Sequence, residues 1–371
     1  MNLRKLSIIL VIVTMAIILV VCAGCTGNNE KNSTGTKVTQ SAPQTTQAYT
    51  AAPVPSGSSC IPITITQSDG KQALFPCRPE RIIVTNTDAA EMLIALGAAD
   101  KIVGVVESTK NVSYIMDRIP QAVSIGDWQT PNIERMLSLK PDVVISYASS
   151  RPKNLDQITA ANISIIYLDC YRLPKLASDA QAVGVLTGHE QNAEEYARMI
   201  ENTTSTVMMR VTAVPAAQLP TVYFEGYSDF TAAGTGSGSD DMLMMAGGKN
   251  IAAGLSSSSP KVSAEWVVSR NPASIMKVIS AKETRPFSQI VQLMKTRTGW
   301  STMTAVQQDR IYLFANSVEY GPKSYIGLAY TAKILHPELF RDYNPRQMLD
   351  DYAGKYVAGT NVSVPVYPEP V

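Results

Sequence analysis

The chain holds only two histidines, His189 and His336, far apart in its 371 residues. That is too few for a His-rich metal site or a multi-histidine catalytic centre. Gly-x-Ser-x-Gly is absent, and apart from the N-terminal Cys22-Ala-Gly-Cys25 no His or Cys pair has metal-ligand spacing. The run Gly234-Thr-Gly-Ser-Gly-Ser-Asp240 approaches a dinucleotide loop but puts Ser239 where its last glycine belongs. It reads instead as a tight turn before a helix, capped by Ser237 or Ser239, whose backbone amides can hold an anionic ligand group. Tyrosine outnumbers phenylalanine by 16 to 6, a bias that suits wet, amphipathic clefts. These residues favour recognition over bond-making.

The composition agrees. With 32 basic and 31 acidic residues the net charge is +1, so no basic stripe for nucleic acid is expected. Apolar residues make up 45% and charged residues 17%, which permits a buried core over most of the chain. The length allows two or three domains.

At the N-terminus Arg4 and Lys5 precede an apolar run over 6–21, followed by Cys22-Ala23-Gly24-Cys25. A charged start, an apolar run and small residues make residues 1–24 a signal peptide. Ala23-Gly24-Cys25 resembles a prokaryotic lipobox, in which Cys25 is lipidated; the alternative is an uncleaved anchor. Both put the body on the extracellular face of the cytoplasmic membrane. Residues 25–59, rich in Thr, Ser, Gln, Ala and Pro, form a flexible tether. Cys60 and Cys77 bracket an alternating segment that turns at Asp69-Gly70, a hairpin that a disulfide would close. The alternative is two buried free thiols. Cys170 is left as a small buried hydrophobe.

Short β-branched runs alternate with helical patterns from Arg81 onward, the pattern of βαβ units and parallel sheets. Strands are predicted over 81–85, 102–106, 143–146 and 164–168, with helices over 88–96 (Asp88 as its cap), 132–139 and 155–161. A second series has strands over 221–225, 274–278 and 311–314, and helices over 240–246, 264–269, 288–295 and 323–335. Between them, Ala193, Tyr196, Ala197, Ile200, Val207, Met208 and Val211 follow one helical face, predicting a solitary helix over about 190–212. The expected fold is α/β: two Rossmann-like lobes, 60–188 and 215–355, joined by one long helix (189–214), with a ligand cleft between them and a Pro-containing tail over 356–371.

Over roughly 61–352 the chain resembles the class III substrate-binding proteins of ABC importers, which handle iron–siderophore complexes, haem and cobalamin. The segments that carry the likeness occur in the family's order. They include Pro79-Glu-Arg-Ile-Ile-Val, Asp88-Ala-Ala-Glu-Met-Leu, Pro131-Asn-Ile-Glu-Arg, Leu186-Thr-Gly-His-Glu, Met245-Ala-Gly-Gly-Lys-Asn, Val262-Ser-Ala-Glu-Trp and Leu328-Ala-Tyr-Thr-Ala-Lys-Ile-Leu-His-Pro-Glu-Leu-Phe. The resemblance implies a non-enzymatic, lipid-anchored receptor with no resident cofactor or metal, working with an ABC permease and its ATPase. It also implies that Glu134 and Glu265, one on each lobe, dock onto arginines of the permease.

Loops at the carboxyl ends of the strands should face the cleft. They offer Trp128, Tyr147, Arg151, Tyr171 and Arg172 from the first lobe, and Tyr227, Asn316, Glu319 and Tyr320 from the second. Aromatic faces with guanidinium groups suit a bulky, partly anionic chelate. A siderophore-type iron complex is therefore the leading expectation, with a cobamide or haem as the alternative and an oxyanion such as molybdate behind them. For haem, Tyr147 or Tyr171 would have to be the axial ligand.

Overall fold

The computed structural model describes residues 60–357 and 364–370. The signal peptide, Cys25 and the tether lie outside the described residues. The Sγ atoms of Cys60 and Cys77 are bonded, closing a loop around the antiparallel hairpin of β1 (Ile63–Thr66) and β2 (Gln72–Phe75). Ile63, Ile65, Ala73 and Phe75 turn to the core while their neighbours face solvent, as the two-residue period requires. Ser68 fastens the turn: its amide donates to the Tyr167 carbonyl at 3.0 Å and its hydroxyl to Asp179 at 2.7 Å.

The first lobe is a five-stranded parallel sheet in the order β5-β4-β3-β6-β7. Its strands are β3 (Ile82–Val84), β4 (Ile102–Val105), β5 (Val123–Ser124), β6 (Val143–Ser146) and β7 (Ile165–Tyr167). β3 and β6 are buried on both faces, so their runs are continuously β-branched rather than alternating. The second lobe repeats the plan as β12-β11-β10-β8-β9. These strands are β8 (Thr221–Glu225), β9 (Lys249–Asn250), β10 (Ser274–Ile279), β11 (Ile311–Ala315) and the antiparallel edge strand β12 (Val366–Tyr367). In each sheet the chain reverses its order of growth beside the first strand, β3 or β8, and the loops that diverge there open a crevice.

The linking helix runs from Glu190 to Val211, but it is not solitary. A second helix, Leu173–Thr187, packs against it, starting at Pro174 and ending at the left-handed Gly188. The two approach so closely that a Cβ on Gly184 would lie 2.3 Å from that of Ala193. A third, Pro345–Lys355, returns from the second lobe and lays Tyr352 and Tyr356 against Tyr196, with ring centroids 6.3 and 4.9 Å apart. The connection is therefore a small bundle. Asn86, not Asp88, caps the helix Thr87–Ala95, accepting from the Ala89 amide; Asp88 is in the first turn.

Candidate functional site

Five of the expected ligand residues form one row of rings. Tyr147 follows β6 and Tyr171 lies just beyond β7, while Trp128 comes from the loop after β5. Across the cleft, Tyr227 follows β8 and Tyr320 ends the short helix Asn316–Glu319 after β11. Ring centroids are 6.0 Å apart for Trp128–Tyr147, 5.8 Å for Tyr147–Tyr171, 6.2 Å for Tyr171–Tyr320 and 6.1 Å for Tyr320–Tyr227. The Tyr171–Tyr320 contact joins the two lobes. Hydroxyls on the row are held from behind: Tyr147 donates to Asp88 Oδ2 at 2.9 Å, Tyr171 to Ser149 at 3.2 Å, and Tyr320 shares 3.1 Å with Ser239. Asn316 lies beside the Tyr227 hydroxyl. Anchored in this way, the tyrosines offer ring surface more than hydroxyl chemistry.

The two arginines stand apart from the row. Arg172 crosses the lobe boundary to Asp241, with Nε 3.0 Å from Oδ2. Arg151 lies 4.1 Å over the Tyr167 ring and reaches Asp69 Oδ2 at 3.3 Å, which ties it to the β1–β2 turn. Each guanidinium already has a carboxylate partner.

Of the acids beneath the row, sequence reasoning placed Glu319 at the cleft but missed Asp88 and Glu91. Asp88 is buried, and burial pushes its carboxyl up to about 7 despite the Tyr147 hydrogen bond. Gly321 of the second lobe abuts it: a Cβ there would sit 2.8 Å from Asp88 Oδ1, and φ is +83° or close to it in several such glycine turns, +80° here. Glu319 is deeply buried, neither oxygen has a well-formed hydrogen bond, and burial pushes its carboxyl up to about 8 against the lowering pull of the nearby Ser239 hydroxyl. At pH 7 Glu319 is thus mostly protonated and Asp88 about half so. Deeper still, Lys323 pairs with Glu91 between the Tyr114 and Tyr352 rings, whose centroids are 5.3 and 5.2 Å from Nζ. Tyr114 and Tyr352 also donate to Glu91, at 2.9 and 2.8 Å.

Glu134 and Glu265 occupy equivalent places on the outside of the two lobes. Asn132 caps the helix Ile133–Ser138 and Ser263 caps Ala264–Arg270, and each glutamate follows its cap by two residues. Both are exposed. A carboxylate in a first helical turn faces unpaired amides, which favours its charged form. The Glu265 carboxyl is lowered by hydrogen bonds from its own backbone amide and from the Ser263 hydroxyl.

A family model described as periplasmic binding protein matches residues 82–317. The chain is 24% identical over 293 residues to YvrC of Bacillus subtilis (strain 168), an uncharacterized ABC transporter substrate-binding lipoprotein; the match covers 76% of this chain and 88% of YvrC. It is 29% identical over 204 residues to the vitamin B12-binding protein of Yersinia pestis (strain Pestoides F), covering 53% of this chain and 69% of the relative. Among solved structures, the molybdate-bound binding protein MolA of Haemophilus influenzae superposes with a TM-score of 0.67 at 22% identity, covering 81% of this chain and 99% of the other. The chain belongs to the periplasmic binding protein family, as a class III substrate-binding protein of ABC importers that binds a solute outside the cytoplasm and catalyses no reaction.

Proposed function

We propose that the protein captures a corrinoid and delivers it to an ABC permease and its ATPase, held at the membrane surface by a lipid on Cys25. The reading is carried by one observation: a continuous row of aromatic rings spans both lobes while Arg151 and Arg172 are both occupied by carboxylates. A corrin ring is broad and mostly apolar on its faces, with neutral amides at its rim, so ring stacking would supply most of its affinity. An anionic ferric chelate would instead need uncommitted guanidinium or ammonium groups to replace the water around its oxygens. The burial that raises Asp88 and Glu319 beneath the row limits their negative charge, which suits an uncharged ligand. The likeness to the vitamin B12-binding protein of Yersinia pestis supports the same choice.

In this reading Trp128, Tyr147, Tyr171, Tyr227 and Tyr320 hold the ligand and Asn316 orients Tyr227. Arg172 governs access from the lobe boundary, and Arg151 braces the loop beside it. Glu134 and Glu265 meet the permease arginines. The test is mass spectrometry of small molecules extracted from protein produced in a corrinoid-supplied host. A corrinoid in near-equimolar amount is expected; an iron chelate or haem in its place would overturn the assignment.

A further inference from the structure

Next to the row, the second lobe holds a partly open cavity of about 230 Å³ lined by residues that include Ser228, Thr231, Ser237, Ser239, Ser258 and Ser259. The rings of Tyr227 and Tyr320 form part of its wall, so it is continuous with the aromatic row. None of the residues that bound it carries a charge. Its hydroxyls are only partly used. Ser237 caps the helix Gly238–Met245 and Ser239 meets the Tyr320 hydroxyl. The Thr231 Oγ1, by contrast, is buried with no partner, just beneath the cavity surface, where a ligand group reaches it only as the lining side chains adjust.

A buried hydroxyl without a partner is costly unless something supplies one. The surroundings say what kind of group that is. Asp240 is held by the Asn250 side chain at 2.7 Å and the Gly236 amide at 3.1 Å, and Asp241 is taken by Arg172. No cation faces the cavity, and carboxyl groups stand behind it, so an anion entering would meet no counter-charge. Hydroxyls both donate and accept, which matches a neutral group that does the same.

We infer that this cavity is a second subsite, receiving a primary-amide arm of the ligand while the rings hold its disc. The inference rests on the corrinoid reading, since a corrin rim carries such amides.

The test uses two corrinoids that differ at those groups. Dicyanocobinamide keeps the amides but lacks the nucleotide arm; a cobyrinic acid carries carboxylates instead. Affinities are measured by isothermal titration for the wild type, Thr231→Val and Thr231→Ser. Thr231→Val should weaken dicyanocobinamide about tenfold, Thr231→Ser should restore it, and the already weaker binding of cobyrinic acid should be unchanged by either substitution. Undiminished dicyanocobinamide binding by Thr231→Val would overturn the subsite alone, as would tighter wild-type binding of cobyrinic acid. Failure of the wild type to bind any corrinoid would overturn the functional reading and the subsite together.

Discussion

Lys323, in the second lobe, and Glu91, in the first, form a buried ion pair across the molecule. Tyrosine hydroxyls from Tyr114 and Tyr352 complete the coordination of the carboxylate, and the same two rings flank the ammonium. Every polar atom of the pair is thereby engaged, the condition under which a buried pair is tolerated. Lys323→Met leaves a buried carboxylate without its cation and should cost about 3–5 kcal/mol in urea unfolding. The double variant Lys323→Met, Glu91→Leu should recover much of that loss. A single-variant cost below about 1 kcal/mol would show that the pair does not lock the lobes.

This lock, the Glu190–Val211 helix and the two helices packed on it oppose a wide hinge. Bending the linking helix would break backbone hydrogen bonds, and no proline or glycine lies within it to localise a kink. Ligand should therefore enter by loop movement that parts Tyr171 from Tyr320, with the lobes rotating by only a few degrees. Spin labels on the two lobes should report nearly equal distances with and without ligand; a change on the order of 10 Å would contradict this.

The cleft acids make stability depend on pH. Asp88 and Glu319 titrate in the folded chain at about 7 and about 8, against ordinary carboxyl values when unfolded. The folded state thus keeps protons that the unfolded chain has already released. This stabilisation is complete at acid pH, below the unfolded values, and is lost as pH rises through about 7 and 8. Each group contributes a slope of up to about 1.4 kcal/mol per pH unit in its window. Asp88→Asn keeps an acceptor for Tyr147 and should flatten the decline in unfolding free energy between pH 5 and pH 7. An identical decline in the variant would remove Asp88 from the account.

Glu134 and Glu265 are exposed, so the docking role proposed for them is separable from ligand binding. Glu134→Lys and Glu265→Lys, alone or together, should leave ligand affinity in solution unchanged while lowering uptake through the permease. Like charges facing arginines repel, and the double variant should abolish most transport. Transport at the wild-type rate in the double variant would end the docking role.

The parallel strands and the ring-bearing loops were legible because β-branched runs are local signals and strand ends face the crevice. The helix Leu173–Thr187 was equally local, with Leu173, Leu176, Ala180, Val183 and Thr187 at helical spacing, Pro174 at its start and Gly188 at its end. It was overlooked beside the stronger pattern that follows. Pairings were not legible. Arg172 meets Asp241 across 69 positions and Lys323 meets Glu91 across 232, and nothing in local spacing distinguishes such an arginine from one that faces a ligand. Asp88 illustrates the same limit: at a helix start it reads as a cap, and only the fold brings Tyr147 and Gly321 against it.

In the proposed function the aromatic row binds an uncharged corrin disc rather than an anionic iron chelate. Isothermal titration of the purified protein with cyanocobalamin, a ferric catecholate chelate and haemin tests it directly. One-to-one binding of cyanocobalamin is expected, weakened at least about tenfold when Tyr171 and Tyr320 are both changed to Ala, with little or no heat from the other two. Tight binding of the ferric chelate or haemin, with cyanocobalamin silent, would contradict it.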